Sequence, residues 1–480
     1  MRGVISAAGY VPYRRLDRSE IADFFGSGGG TGTRAVACYD EDTTTMGQAA
    51  ADLALRSTDV EPEALWFATS APAYLEKTNA AAIHAALRLD RAVDALDLGG
   101  AVRSGIGALR AALEGNGSTL VVAADARDGL PTGSDEASAG DAATAVFVGD
   151  DSDGPVLAEY LGGACRTLEI TERWRTPGGA RSRTWEERLG AHVLGPAALE
   201  AWQAALDGSG LGSTADIDRL AVTGLNSRAV ATALKAIGAK ADSLVDPLIN
   251  TVGNTATAHP ALLLSSALEH ASPGQTIAVV SLADGVEAIV LRATEAIADH
   301  RPAAPIADQI AAGGALSYGR FLAWRNMVTV EPPNRPAPTR PSSSAANRRT
   351  GWKYGFTGSR DRSSEMVHLP PARVSQKGGE ADDMDPAPMA HTSGTVASFT
   401  VDRLAYSPSP PTVFAVVDFD DGGRVPVELT DVDAGEVHAG MRVVPTFRRL
   451  YTADDIHNYF WKARPVRPGE PGETPQGDSP

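Results

Sequence analysis

The sequence has few cysteines, no long apolar run and no excess of basic residues. Its two cysteines, Cys38 and Cys165, are too few for a disulfide framework or a cysteine-rich zinc site. There is no stretch of 18 apolar residues, and Met1–Tyr10 lacks the pattern of a secretory signal, so we expect a cytoplasmic protein without a membrane segment. The net charge is −17, with 60 acidic and 43 basic side chains, which argues against nucleic acid as a partner.

Residues 1–297 carry the pattern of an α/β fold. Short apolar runs that favour buried strands alternate with alanine-rich stretches that favour helices, as in layered α/β proteins. The predicted strands are Leu65–Thr69, Thr119–Ala124, Ala143–Val148, Leu220–Thr223 and Thr276–Leu282. The predicted helices include Met46–Leu55, Asn79–Leu87 and Pro260–His270.

This part of the chain repeats one plan. Pro62–Ser70 resembles Ile217–Gly224, since each passes from a helix end through a strand into a turn of small residues. Thr119–Val148 pairs two strands around a turn, and Thr276–Leu291 does so again. The pattern predicts two similar halves, at about 1–150 and 151–297.

Beyond residue 297 the composition changes. Glu331–Asn347 contains five prolines, which is typical of a semi-extended linker. The stretch 331–378 holds nine Lys and Arg against three acids, and we expect it either to bind a phosphorylated ligand or an acidic partner, or to be a solvated linker. From Thr395 onward, short strands separated by turns predict a small β-barrel of OB type.

Several motifs in residues 1–297 occur together in an order that identifies a family resemblance. They are Tyr39–Met46 (YDEDTTTM), Ala101–Leu109 (AVRSGIGAL), Gly140–Ala145 (GDAATA), Thr223–Arg228 (TGLNSR) and Gly253–Thr255 (GNT). The series resembles hydroxymethylglutaryl-CoA synthases and ketoacyl synthases III of the thiolase superfamily. The resemblance implies a five-layered αβαβα fold built from two similar halves.

The catalytic groups implied by this resemblance are largely replaced. Val102 stands where the family has its acylated cysteine, Thr223 where ketoacyl synthases III have a histidine, and Ser70 where hydroxymethylglutaryl-CoA synthases have a glutamate. Asn254 is retained. A valine cannot form a thioester, so we expect no acyl-enzyme, and the resemblance leaves the catalytic residues unknown.

The same resemblance implies four substrate-binding positions, namely Asn254, Gly285, Asn226 and Arg228. Two of them have a purely structural alternative: a buried asparagine can bond neighbouring backbone, and a glycine is expected in an Asp-Gly turn. We expect no metal ion and no resident cofactor, with coenzyme A present only as part of an acyl-CoA ligand.

The C-terminal part resembles a second family, the acyl-CoA-associated zinc-ribbon and OB-fold domain known as domain of unknown function thirty-five. The resemblance rests on Tyr318–Arg325, Trp352–Gly355 and His368–Val374. The four positions of that family's zinc cysteines hold Asp361, Ser364, Ser375 and Gly378. One carboxylate and two hydroxyls do not make a structural zinc site, so we predict a metal-free, degenerate ribbon.

The two resemblances and the composition together predict the domain order. We expect a thiolase-like domain over 1–297, a helix and proline-rich linker over 298–347, the degenerate ribbon over 348–385, an OB-like domain over 386–463 and a disordered tail over 464–480.

Three functions remain open. The first is a non-acylating subunit that binds acyl-CoA or organises a thiolase-fold partner; the second is a cysteine-independent aldolase acting on a β-hydroxyacyl-CoA. For the aldolase, Asp284, His259 and Tyr74 are candidate bases. The third, a hydroxymethylglutaryl-CoA synthase-like acyltransferase, lacks its nucleophile. We expect a homodimer or a thiolase-fold partner, because Ala92–Leu98 is too apolar for an exposed edge strand.

Overall fold

The computed structural model describes residues 1–179, 181–467 and 470, and the chain divides into two compact units. The first unit comprises residues 1–37, 49–81 and 90–318. The second comprises residues 38–48 and 82–89 together with the described residues from 319 onward. Two short segments from the N-terminal part of the chain therefore belong to the C-terminal unit.

The strands of the first unit occur in both predicted halves. They are β1 (Arg2–Tyr10), β2 (Arg14–Asp17), β3 (Thr33–Val36), β4 (Ala64–Thr69), β5 (Asp94–Gly99), β6 (Thr119–Asp125), β7 (Ala142–Asp150), β8 (Ala158–Thr167), β9 (Arg173–Trp174), β10 (Arg183–Thr184), β11 (Arg219–Gly224), β12 (Thr276–Leu282), β13 (Gly285–Ala293) and β14 (Gly314–Ala315). The five strands predicted from the sequence are all present, with bounds shifted by at most a few residues.

Helices alternate with these strands. They are α1 (Ser19–Phe25), α2 (Thr43–Leu55), α3 (Ala80–Leu87), α4 (Ser104–Glu114), α5 (Ser134–Ser138), α6 (Glu187–Ser209), α7 (Ser227–Ala236), α8 (His259–Glu269) and α9 (Ile306–Ala311). Short 3-10 turns occur at Thr214–Asp216, Ala241–Ser243, Ala256–Ala258 and Glu295–Asp299. Residues of α2 and α3 are divided between the two units.

Nine strands form one sheet in the order β11-β12-β13-β8-β1-β7-β6-β4-β5. In the first half β4 runs parallel to β6, and β6 and β1 run antiparallel to β7. The second half repeats this pattern, because β11 runs parallel to β12, and β12 and β8 run antiparallel to β13. The halves join where Val4 of β1 pairs with Ala158 of β8. The predicted duplication is therefore confirmed.

The core of the first unit lies around α4 and α8, which pack against each other and against strands of both halves. Helix α8 (HPALLLSSALE) is apolar on almost every side and is almost completely buried, as expected of a helix between two sheet faces. Helices α6 and α7 pack together on the outer side of the second half, with Trp202 of α6 fully enclosed. The arrangement is the layered α/β fold that the sequence predicts.

Strand β5 lies at one end of the nine-stranded order and pairs with β4. Most of the apolar segment Ala92–Leu98 thus lies in an edge strand, and Leu96 on it is 44% exposed in the single chain. An apolar strand edge of this kind is a template for pairing with another chain.

The second unit contains a small sheet, a barrel and three short helices. The helices are α10 (Tyr318–Trp324), which begins at the last residue of the first unit, α11 (Ser343–Arg348) and α12 (Thr350–Lys353). The strands are β15 (Thr357–Asp361), β16 (Val367–His368), β17 (Met384–Pro388), β18 (Gly394–Asp402), β19 (Thr412–Phe419), β20 (Arg424–Leu429), β21 (Arg442–Ala453) and β22 (Ile456–Pro465).

Strands β18 to β22 close into a barrel in the order β18-β19-β20-β22-β21, which confirms the predicted OB-like domain. Its interior is filled by alternate residues of each strand, including Val417, Phe447 and Trp461. Strands β15, β16 and β17 form the separate three-stranded sheet, where the degenerate ribbon is predicted.

A buried group of charged side chains lies in the second unit. The Arg448 guanidinium donates to Glu41 Oε1 at 2.6 Å and to Asp431 Oδ2 at 2.8 Å. Lys462 Nζ lies 2.9 Å from Asp40 Oδ2, and both side chains are fully buried. Burial disfavours the charged form of both side chains. The nearby cations nevertheless hold the pKa of Asp40 below its ordinary value. The nearby acids raise the pKa of Lys462 well above its ordinary value. The segment 38–48 is tied to the barrel by these paired charges.

The four degenerate zinc positions lie close together. Ser364 donates to the Asp361 carboxylate through its hydroxyl and its backbone N–H, and a Cβ added at Gly378 would lie 2.6 Å from Asp361 Oδ2. The Ser375 hydroxyl lies 3.2 Å from His368 Nε2. One carboxylate, two hydroxyls and a glycine do not fit zinc, which takes thiolate, imidazole or carboxylate ligands. The absence of zinc remains a prediction.

Two further predictions from the sequence concern a disordered C-terminal tail and the lack of a membrane-spanning segment. The predicted disordered tail, 464–480, begins in β22, and its residues 468–469 and 471–480 lie outside the described part. In the described ranges there is no helix with the length and apolar character needed to cross a membrane. The cytoplasmic location stays a prediction.

Candidate active site

The carboxyl ends of parallel strands from both halves surround a cavity of about 1050 Å³. Thr69 and Ser70 line it at the end of β4, Leu225 and Asn226 follow β11, and Asp284 lies in the turn after β12. In α/β folds the loops at the carboxyl ends of strands are the usual place for ligands. The cavity lies entirely within the first unit and is a candidate active site.

Val102 lines this cavity immediately before α4. Helix α4 starts with small residues, and at Gly105 a Cβ would lie 2.3 Å from the backbone oxygen of Thr257. The glycine therefore permits a close approach of α4 to the segment that precedes α8. The position implied for a nucleophile does face the cavity, but it carries an isopropyl group there.

Ser70, at the position implied for an acid, also lines the cavity and is held by Asp125. Its hydroxyl donates to Asp125 Oδ2 at 3.0 Å, and its backbone N–H donates to Oδ1 at 2.8 Å. Asp125 also accepts from the Thr69 hydroxyl and from the backbone N–H of Thr257. The hydroxyl proton of Ser70 is therefore committed to Asp125, and Ser70 contributes to the cavity wall.

Asn226 caps α7 and at the same time faces the cavity. Its Oδ1 accepts from the backbone N–H groups of Arg228 at 3.0 Å and Ala229 at 3.1 Å. Its Nδ2 donates to the Glu187 carbonyl at 2.9 Å and to Oε1 of Glu172. The cap fixes the direction of the amide, and the amide in turn fixes the Glu172 carboxyl at the cavity wall.

Burial raises the pKa of the Glu172 carboxyl above its ordinary value, although the hydrogen bond from Asn226 opposes this. The negative charges of Glu187 and Asp284 raise it further, whereas Arg173 lowers it. Arg173 is itself paired with Asp135, at 2.9 and 2.6 Å. The cavity wall thus holds a carboxyl group whose proton is retained to higher pH than in water.

Asp284 is a second cavity-lining carboxyl with a raised pKa. Burial is the main cause, Arg103 opposes it and Glu169 adds to it. Arg103 is held in place, since it donates to Glu287 Oε1 at 2.7 Å and to the Asp284 carbonyl at 2.8 Å. Next to it, a Cβ at Gly285 would lie 2.9 Å from the Arg103 guanidinium, so the glycine makes room for that group.

The structure places the predicted site residues in two groups. Val102, Ser70, Asn226, Asp284 and Tyr74 all line the cavity. The remaining ones, which lie outside the lining, are Thr223, Asn254, Gly285, Arg228 and His259.

Three of the residues outside the lining are buried. Asn254 donates to the Gly224 carbonyl at 3.0 Å and accepts from the Ala256 N–H at 2.9 Å, which is the structural alternative left open for it. Thr223 is buried within β11. His259 is buried at the start of α8, and burial lowers its pKa to about 4, which leaves the imidazole neutral at pH 7.

Glu172 has no signal in the sequence that would have identified it. It lies in the loop between β8 and β9, and its role depends on contacts with α6 and with the residue that caps α7. Arg175 is a second such residue, since its guanidinium donates to the Ser70 carbonyl at the cavity wall. Both groups come to the site through tertiary contacts.

Comparison with known proteins relates the chain to one group of enzymes. The chain is 27% identical over 341 residues to the hydroxymethylglutaryl-CoA synthase of Pyrococcus furiosus, covering 67% of this chain and 95% of that protein. It is 26% identical over 346 residues to the hydroxymethylglutaryl-CoA synthase of Methanopyrus kandleri, covering 68% and 97%. The predicted resemblance to hydroxymethylglutaryl-CoA synthases is thereby confirmed.

Solved structures show the same fold. An HMG-CoA synthase complexed with CoA matches with a TM-score of 0.56 at 16% identity, covering 67% of this chain and 89% of that one. MvaS in complex with 3-hydroxy-3-methylglutaryl coenzyme A gives 0.54 at 22%, covering 70% and 94%. The 3-oxoacyl-[acyl-carrier-protein] synthase III of Aquifex aeolicus VF5 gives 0.52 at 20%, covering 61% and 100%.

The C-terminal barrel has its own match. Residues 388–448 fit the family model described as the C-terminal OB-fold domain of ChsH2. The chain therefore combines a thiolase-like α/β unit, similar in sequence to hydroxymethylglutaryl-CoA synthases, with an OB-fold domain of the ChsH2 type.

Proposed function

We propose that the first unit binds an acyl-CoA thioester in its cavity and takes part in carbon–carbon bond chemistry without forming an acyl-enzyme. The observation that carries the proposal is Val102, which lines the cavity directly before α4, at the position implied for the acylated cysteine. A valine side chain has no nucleophilic atom. Cys38, which is buried in the second unit, and Cys165, on β8, lie outside the cavity lining.

The likeness to hydroxymethylglutaryl-CoA synthases supports acyl-CoA as the ligand class. The cavity volume of about 1050 Å³ accommodates an acyl chain together with part of a pantetheine arm. Its wall combines apolar side chains, such as Leu225 and Leu282, with the carboxyls of Glu172 and Asp284. Such a wall suits an acyl group that carries a hydroxyl.

Within this function, a retro-aldol cleavage or its reverse is favoured by the two carboxyls with raised pKa. This reaction needs a base at the β-hydroxyl and stabilisation of the thioester enolate, but no covalent intermediate. Glu172 and Asp284 supply candidates for the base, and Tyr74 lies in the same lining. A subunit that only organises a partner would have no need of such groups.

We further propose that the protein works as a dimer or with a thiolase-fold partner through the edge of β5. Its exposed Leu96 and its apolar neighbours favour pairing with another strand. The resemblance to thiolase-type proteins supports the same arrangement.

Calorimetric titration of the full chain with acetyl-CoA and with free coenzyme A tests the binding. We expect acetyl-CoA to bind, and the Val102→Trp variant to bind it at least tenfold more weakly, because an indole at position 102 fills cavity volume. Ala298→Trp, outside the cavity, is the control and should leave the affinity unchanged. Equal affinity of all three proteins would contradict the proposed site.

A further inference from the structure

We propose that Glu172 is the acid–base group of the cavity, and that it takes a proton from the substrate hydroxyl and returns it to the α-carbon. The inference rests on the proposed acyl-CoA function and names the group that would carry out its chemistry. It depends on two contacts that hold the carboxyl at the cavity wall and on a third that fixes the backbone of the same residue.

The first contact is with Asn226. The amide Nδ2 of Asn226 donates to Glu172 Oε1, while its Oδ1 is committed to the backbone of α7. The amide cannot turn over without losing the cap of that helix. It therefore always presents a donor to Glu172, and it leaves the second carboxyl oxygen for other partners.

The second contact is with Gly190, a buried residue of α6. A Cβ at this position would lie 2.3 Å from Glu172 Cδ and 2.4 Å from its Oε2. The missing side chain leaves a recess in α6 into which the carboxyl fits. At Gly208, on the same helix, an added Cβ would have no neighbour within 4 Å. Close packing against the helix backbone therefore requires a glycine at position 190 but not at position 208.

The third contact fixes the main chain, because the Trp185 N–H donates to the Glu172 carbonyl at 2.8 Å. The charged groups that face the carboxyl are Glu187 on α6, Asp284 after β12 and the adjacent Arg173. Two of the three are acids, and Arg173 is paired with Asp135. The same balance acts at Asp284, where burial and Glu169 raise the pKa of the carboxyl and Arg103 lowers it, so the choice of Glu172 rests on its contacts with Asn226 and Gly190.

The proposed step balances without any further reactant. The Glu172 carboxylate takes the β-hydroxyl proton, the bond between the α- and β-carbons breaks, and its electron pair passes into the thioester enolate. The β-carbon leaves as an aldehyde or ketone. The enolate then takes the proton from the Glu172 carboxylic acid at its α-carbon, which gives the shortened acyl-CoA and restores the carboxylate.

The proton transfer between Glu172 and the α-carbon can be followed in the reverse direction. It appears as deuterium exchange at the α-carbon of acetyl-CoA in D2O, measured by mass spectrometry. We expect the full-length protein to catalyse the exchange, Glu172→Gln to lower its rate by about 100-fold, and Gly190→Ala to lower it several-fold. Gly208→Ala and Glu200→Gln, on the same helix and outside the cavity lining, should keep the full rate.

Acetyl-CoA binding to each variant is measured in parallel, which separates the two proposals. If the wild-type protein does not bind acetyl-CoA, the proposed function fails and the role of Glu172 falls with it. If wild type and Glu172→Gln bind equally and exchange at equal rates, only the role of Glu172 is contradicted. Binding without exchange by the wild-type protein would also overturn that role.

Discussion

Arg448 of the barrel donates a hydrogen bond of 2.6 Å to Glu41 of the segment 38–48, and both side chains are inaccessible to solvent. The two residues are about 400 positions apart in sequence and belong to the same compact unit. Glu41 lies within the motif YDEDTTTM, which carries part of the resemblance to hydroxymethylglutaryl-CoA synthases. In this chain that motif also serves the structure of the OB-fold unit.

Removal of the Arg448 charge should therefore destabilise the second unit strongly. Arg448→Met leaves the buried carboxylates of Glu41 and Asp431 without their main partner, which costs about 3–5 kcal/mol for a buried pair. Urea unfolding followed by tryptophan fluorescence measures this. The control is Arg424→Met, whose ion pair with Asp418 is exposed to solvent and whose loss should leave the urea midpoint close to that of wild type. Equal effects of the two substitutions would contradict the structural role of the buried group.

Glu269 should make the stability of the first unit depend on pH. Burial raises its pKa to about 7 in the folded protein, although the Ile306 N–H donates to it, while in the unfolded chain it titrates near its ordinary value of about 4.3. Folding therefore takes up a proton between these values, so this group makes the free energy of unfolding fall as pH rises from about 4.3 to 7.

Glu269→Gln should remove this contribution, and the variant should gain stability relative to wild type as pH rises through that window. Urea midpoints measured from pH 4.5 to 8 test this, with the exposed Glu200→Gln as a control expected to follow wild type. If the urea midpoints of wild type and Glu269→Gln change in parallel with pH, the prediction is contradicted, because Glu269 then has the same pKa in the folded and the unfolded chain.

Four substitutions should create a zinc site in the small sheet of the second unit. Asp361, Ser364, Ser375 and Gly378 occupy the positions of the family's zinc cysteines, and Asp361 lies directly beside Ser364 and Gly378. The variant with cysteine at all four positions should bind one zinc ion per chain, whereas the wild-type protein should bind none after dialysis. Inductively coupled plasma mass spectrometry gives both values. Stoichiometric zinc in the wild-type protein would mean that the ribbon positions are assigned wrongly.

The edge of β5 should carry the proposed interface. Leu96→Lys places a charge on the exposed face of this strand and should convert a dimer to a monomer, as measured by multi-angle light scattering. Leu130→Lys, at another exposed leucine, should leave the oligomeric state unchanged. A wild-type protein that is monomeric and active at micromolar concentration would contradict the proposal.

Much of the fold could be predicted because its signals are local in sequence. Apolar runs such as Thr276–Leu282 form strands wherever they are buried on both faces, and the repeated plan of Pro62–Ser70 and Ile217–Gly224 corresponds to β4 and β11. The motif series also located the cavity, since Val102, Ser70 and Asn226 follow or precede elements whose ends converge there.

The features that could not be predicted from the sequence depend on contacts between residues distant in sequence. No local pattern distinguishes Glu172 from other surface acids, and its role arises from the recess at Gly190 and the amide of Asn226. The buried pairs of Arg448 and Lys462 are equally invisible, because a charged residue in a strand is usually on its solvated face. Asn254, retained from the family pattern, proved to be held by backbone groups.

The central claim is that the cavity handles acyl-CoA without an acyl-enzyme, and peptide mapping by mass spectrometry after incubation with acetyl-CoA tests it most directly. The peptide that spans 95–110 should keep its unmodified mass at acetyl-CoA concentrations that saturate binding, because Val102 has no atom that can accept the acetyl group. A stable acetyl adduct on that peptide would contradict the account.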